Sequence, residues 1–173
     1  MLTLHAGCLE KVYRKEGRLP EDIIRIYGYQ ILVALAYLHA SDIIYGDLKG
    51  ANILVGDSGR VKLTDFGSAQ LFDSSALLSG EGMRAIGGTL NFIAPEVFQV
   101  SRRASACRSL LCAQEVCTRK SDVWSFGCVL LEMLNQGNFL YENERGGCVR
   151  VGSKFKMPLD VSPELTSVIN ACI

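Results

Sequence analysis

Tyr45-Gly46-Asp47-Leu48-Lys49-Gly50-Ala51-Asn52-Ile53-Leu54 gathers a carboxylate, an ammonium and an amide at Asp47, Lys49 and Asn52. The carboxylate can take a proton from an attacking hydroxyl, and the ammonium can neutralise developing negative charge. The amide oxygen can hold a hard metal ion. Leu48, Ala51, Ile53 and Leu54 are apolar and suited to pin such a loop against a core, leaving the polar three to face a cleft. Taken alone, Asp-x-Lys-x-x-Asn fits a solvated turn better than a catalytic one. It does not stand alone. Asp65-Phe66-Gly67, Gly88-Thr89, Ala94-Pro95-Glu96 and Asp122-Val123-Trp124-Ser125-Phe126-Gly127 follow it in order.

That succession resembles the protein kinases, whose catalytic loop, metal-binding triplet and Ala-Pro-Glu signature come in the same sequence. The resemblance implies that Asp47 orients the substrate hydroxyl and accepts its proton, and that Lys49 neutralises the transferred phosphoryl group. It implies ATP and Mg as cofactors, with Asn52 and Asp65 as the metal ligands and Asn52, Asp65 and Leu54 lining the nucleotide site. Phe66 would pack beneath Asp65, and Gly67 would let the loop swing. Lysine two residues after the aspartate, with Gly88-Thr89-x-x-Phe92-x-Ala94-Pro95-Glu96, matches the serine/threonine form. Ala6-Gly7-Cys8-Leu9 is similar to the turn after the hinge in the kinase-kinase-kinase group.

The chain has 173 residues, 49% of them hydrophobic, enough for one domain with a core. Eighteen basic residues balance eighteen acidic ones, which gives no reason to expect a nucleic-acid or membrane partner. The apolar runs from Ile31 to Leu38 and Val123 to Leu131 are too short or interrupted to span a bilayer. Met1 to Cys8 makes a poor signal peptide. The seven cysteines are an odd count, read as reduced thiols of a cytoplasmic enzyme. Cys107, Cys112 and Cys117 recur at five-residue steps, wider than zinc ligand pairs favour, so loop thiols are the better reading.

Periodicity places the elements around the motif. Glu10 to Lys15 reads as a short exposed helix. Pro20 with Glu21 and Asp22 starts a second, in which Ile24, Tyr27, Ile31, Leu35 and Leu38 form one apolar stripe ending near His39 to Asp42. Ile53-Leu54-Val55, the turn Asp57-Ser58-Gly59 and Val61-Lys62-Leu63 read as a hairpin carrying Asn52 and Asp65 at its two ends. Asp65 to Glu96 lacks periodicity and reads as a mobile functional loop. Val100 to Lys120 is longer than the corresponding kinase connection and rich in arginine, serine and cysteine. Within it, Ser101-Arg102-Arg103-Ala104-Ser105 looks like a basophilic phosphorylation target, a pattern with many chance matches. Ser121 and Asp122 read as caps of a helix over Val123 to Leu134, and Pro163 with Glu164 opens a last one.

Two departures precede Asp47, where the family has His-Arg and this chain has Tyr45-Gly46. Tyrosine can fill the same slot. Glycine supplies no forked charge to catch an activation-loop phosphate, so activity should not depend on one at Ser74, Ser75 or Ser79, with Arg84 the alternative basic partner. In the family, Glu96 pairs with an arginine near the domain end that has no counterpart here, so Glu96 would protonate, rearrange or solvate. Asp122 would bond the backbone of the catalytic loop. No Gly-x-Gly-x-x-Gly and no Val-Ala-x-Lys occurs.

The expectation is therefore a mainly α fold: a protein kinase-like C-terminal lobe with a small β-hairpin and no N-terminal lobe, one partial kinase domain over residues 1–173. Its partners would be a protein substrate and an upstream activator or scaffold. The rival is a catalytically inactive binding or scaffold module, and a third possibility is an incomplete reading of the gene.

Overall fold

The computed structural model describes residues 7–72, 92–95, 118–137, 157–158 and 160–173. Gly88-Thr89, Glu96, the serines at 74, 75 and 79, Arg84, the Ser101–Ser105 run and Cys107, Cys112 and Cys117 lie outside them. In the described residues the order is β1 (Gly7–Cys8), α1 (Leu9–Glu16), α2 (Glu21–Ala40), β2 (Ile43–Ile44), β3 (Ile53–Val55), β4 (Val61–Leu63), β5 (Gln70–Leu71), α3 (Arg119–Leu134) and α4 (Pro163–Cys172). Cys8, Cys128 and Cys172 are free thiols there.

α2 begins where Pro20 places Glu21 and Asp22 in the first turn, and it buries Ile24, Gly28, Ile31, Leu35 and Leu38. Tyr27 is only partly buried. The stripe meets α3, where a Cβ at Gly28 would stand 3.2 Å from Leu130 Cδ2, so the helices approach closely at that point. Burying one large aliphatic side chain is worth roughly 1.5–3 kcal/mol, against about 1 kcal/mol for a helix cap. The stripe therefore dominates. By length and hydropathy alone α2 passes for a bilayer-crossing helix, with a mean of 1.3 over its best window.

Two helices differ from the expectation. α1 is exposed on one side only, since Leu9 is 0% and Tyr13 1% accessible. α3 starts four residues before Val123, and its N-cap is Thr118, whose side chain accepts from Ser121 N while the Ser121 hydroxyl accepts from Thr118 N. Ser121 thus serves at the third position of a capping box, and Asp122 is left for other work.

The hairpin pairs Ile53 with Leu63 and Val55 with Val61, and β1 adds to its other edge. Gln30 of α2 closes the tip, its Nε2 donating to Gly59 O at 3.1 Å and its Oε1 accepting from Val61 N at 3.1 Å. That satisfies an edge-strand N–H that the ladder leaves over. A second ribbon pairs β2 with β5 and holds the segment after Asp65 against the one before Asp47.

Candidate active site

Leu48 and Ile53, both 0% accessible, anchor the two ends of the loop. Beside them Asp47 Oδ2 lies 2.7 Å from Lys49 Nζ. Asn52 Nδ2 donates to the same oxygen at 3.0 Å and to Asp47 O at 2.9 Å. The three polar residues picked from the sequence form one cluster on one carboxylate. Asn52 is 7% accessible and sits in a 3-10 turn, Gly50–Asn52, whose bend turns the amide back toward Asp47.

The loop is held from behind by a buried acid. Asp122 is 1% accessible, and its Oδ2 accepts from Tyr45 N at 2.9 Å while Oδ1 accepts from Gly46 N at 2.8 Å. His39 Nε2, at the end of α2, is 2.8 Å from Oδ2. The carboxylate thus satisfies two backbone donors that the loop cannot pair itself. Tyr45, also fully buried, donates its hydroxyl to Thr64 O and meets the Phe66 ring edge-on at 5.3 Å. Burial pushes the Tyr45 phenol well above its usual range, and the nearby Asp47, Asp65 and Asp122 charges add to that. It therefore stays a hydrogen-bond donor.

Thr64 N bonds Asn52 O at 2.9 Å, which brings the two ends of the hairpin together. Asp65 follows with φ 55, a left-handed conformation unusual outside glycine, and its Oδ1 accepts from Gly67 N at 3.3 Å. The side chain is exposed. Phe66 is 49% accessible, so it lies on Tyr45 with one edge and leaves the rest open. Leu54 pairs with Cys8 and Lys62 and is half-buried, on the opposite face of β3 from Ile53 and Val55.

Gly46 has φ +78, and a Cβ there would come within 2.9 Å of Ser68 O. Gly46→Ala should therefore cost about 1–3 kcal/mol through the left-handed backbone and the close approach. A thermal melt should show it as a drop of a few degrees; an unchanged midpoint would mean that the loop relaxes freely.

Asn52 and Asp65 offer hard oxygen donors of the kind magnesium takes. With Nδ2 committed to Asp47, Asn52 has only Oδ1 to give a cation. Among the described residues no group of three His, Cys, Asp or Glu side chains could hold a metal. An amide and a carboxylate with vacant coordination left for phosphate oxygens and water fit a magnesium–nucleotide better than a free ion.

Against proteins of known families, the protein kinase domain profile matches residues 1–173. This chain belongs to the protein kinase family. Human mitogen-activated protein kinase kinase kinase 3 is 38% identical over 136 residues, 79% of this chain and 19% of that protein. The mitogen-activated protein kinase kinase kinase MST11 of Pyricularia oryzae is 36% identical over 132 residues, 74% of the chain and 13% of its own length. Cytokinesis protein sepH of Aspergillus niger is 36% identical over 128 residues, 74% and 8% respectively. The chain thus spans less than a fifth of each of these relatives.

Reading the sequence missed three participants. His39 reads as a helix end and Tyr13 as part of an exposed helix, and Glu132 lies just past the apolar run Val123 to Leu131. Only Glu132 gave a usable signal, as a carboxylate in an otherwise apolar stretch of α3.

Proposed function

We propose that this chain is the C-terminal, catalytic-loop-bearing part of a serine/threonine protein kinase that transfers the ATP γ-phosphoryl group to a protein hydroxyl in the cytoplasm. One observation carries the reading: Lys49 and Asn52 converge on a single oxygen of Asp47, at 2.7 and 3.0 Å, over a buried Asp122 clamp. In this reading Asp47 Oδ2 orients the incoming hydroxyl and takes its proton as the oxygen attacks phosphorus. Lys49, already beside that oxygen, moves its charge toward the transferred phosphoryl group. Asn52 Oδ1 and Asp65 would hold magnesium, which supplies charge neutralisation between the phosphates. Leu54 offers an apolar surface to the base. The likeness to kinase-kinase-kinases supports a signalling role with a protein substrate and an upstream activator or scaffold.

The competing reading, an inactive binding module, draws on one feature. Between α2 and the hairpin lies an open groove of about 720 Å³, walled by Tyr29, Val33, Tyr37, Leu63 and Phe66. In the catalytic reading a nucleotide-covering lobe from a longer protein would lie over Phe66.

The two readings share one expectation for the isolated 173-residue chain. Kinase catalysis is mostly positioning and electrostatics, and half of the positioning groups, the glycine-rich loop and strand lysine, are not in this sequence. Titration calorimetry with magnesium-ATP should give weak or undetectable binding, and a radiolabelled-phosphate assay should give no transfer. Micromolar binding with steady turnover, lost in Asp65→Ala, would overturn the assignment of this chain as a partial site.

A further inference from the structure

Beneath the catalytic loop, α1 and α3 bring together two polar side chains 119 positions apart. Tyr13 is 1% accessible and Glu132 5%, and the Tyr13 hydroxyl donates to Glu132 Oε2 at 2.5 Å. Gly50 lies directly on this pair. A Cβ at Gly50 would come within 2.9 Å of Tyr13 Cε1 and closer still to its hydroxyl. Gly137 presses on the same ring from α3's end, where a Cβ would be 2.8 Å from Cε2. The turn that carries Asn52, and follows Lys49 directly, therefore rests on a tyrosine with no room to yield.

We propose that Tyr13 and Glu132 are positioning residues for the catalytic-loop turn Gly50–Asn52, which they hold from beneath through Gly50. The proposal rests on the reading of that loop as catalytic. Lys49 and Asn52 flank Gly50, and both bond Asp47, so a shift of Gly50 moves the two groups that define the cluster.

This support has a proton in it. Burial raises the Glu132 carboxyl from the usual carboxylate range to about 7. The Tyr13 hydroxyl and a backbone hydrogen bond from Gly50 favour the anion and limit the rise. Glu10 and Arg14 of α1 act on it in opposite senses, Glu10 upward and Arg14 downward. These are the charged and titratable groups facing Glu132 among the described residues. A folded-state pKa above the unfolded one means that folding favours the protonated acid. That contribution to stability is full below the ordinary glutamate range and is lost as pH rises through about 7. The anion, however, grips its donors harder than the neutral acid does. The loop is thus held more tightly above neutrality, at a cost to the fold.

Glycine-selective 15N labelling of the 173-residue chain tests this without nucleotide. The Gly50 amide should titrate between pH 6 and 8 with a midpoint near 7. Glu132→Gln, of equal shape, should abolish the titration, and Tyr13→Phe should move it upward by removing a bond that favours the anion. In an active longer protein the transfer rate should rise about fivefold from pH 6 to 8, the difference between a charged and a neutral acceptor, and Glu132→Gln should flatten that rise. A Gly50 amide that stays put, or titrates equally in Glu132→Gln, overturns the proposal whatever the activity. Titration intact in a longer protein that transfers no phosphate at any pH instead removes the catalytic reading, and with it the positioning role.

Discussion

Asp122→Ala should be among the most damaging substitutions in the chain, lowering stability by about 3–5 kcal/mol, the cost of breaking a buried charged network by removing one partner. The reason is the number of groups that lose their acceptor together. Tyr45 N, Gly46 N and His39 Nε2 all depend on the one carboxylate, in a site 1% accessible to water. Each buried donor left unpaired costs about 1–3 kcal/mol. For a domain of this size the loss corresponds to about 6–20 °C in melting temperature. Asp122→Asn, which keeps one oxygen acceptor, should fall between. Calorimetric melts of the chain and both variants decide the matter. A midpoint within a degree of the parent for Asp122→Ala would mean that the loop holds its shape without the clamp.

The parts of the fold that local chemistry dictates are legible in the sequence. α2 announced itself through Pro20, two first-turn acids and a stripe at three- and four-residue steps, and its range, Glu21–Ala40, agrees with that reading. The hairpin followed from two short runs, Ile53 to Val55 and Val61 to Leu63, around Asp57-Ser58-Gly59, and both strands agree residue for residue. Of the pairings across long separations, the family resemblance implied the bond from Asp122 to the loop backbone, which the structure bears out; the others were not legible. The two-residue strands β1, β2 and β5 owe their existence to partners 26 to 48 positions away, with no period of their own to read. Tyr13 is a stronger case, because it looks surface-like in its local context and is buried where α1 meets α3 through Glu132. The start of α3 was misjudged for a local reason: Ser121 and Asp122 are both good caps, and Thr118, three residues earlier, outcompeted them by forming a reciprocal box. At the site itself, Asp47, Lys49 and Asn52 were readable because one short loop carries all three. The left-handed turn at Asp65 was not, since an aspartate does not declare φ 55 in its sequence.

The largest expected effect on activity comes from Asp47→Asn. Asp47 is the one carboxylate in the loop, and both neighbours of the cluster point at its Oδ2. Asparagine has nearly the same shape, and its oxygen can still accept from Asn52 Nδ2, so the fold should be retained. What it lacks is the charge that pairs with Lys49 and that, in the proposed role, would draw the hydroxyl proton. Positioned acid–base groups contribute about 10²–10⁴-fold to rate, and a loss in that range is expected. A surface ion pair would contribute far less, about 0–1 kcal/mol, or at most a few-fold. The size of the effect therefore separates a catalytic Asp47 from a structural one. The decisive measurement is magnesium-dependent transfer of labelled γ-phosphate to a protein substrate by a longer protein that joins this chain to a nucleotide-covering lobe, with Asp47→Asn beside the parent. Transfer by the parent and a loss of at least a hundredfold in the variant, with melting temperature unchanged, is the predicted result. Equal turnover in both proteins would contradict the account.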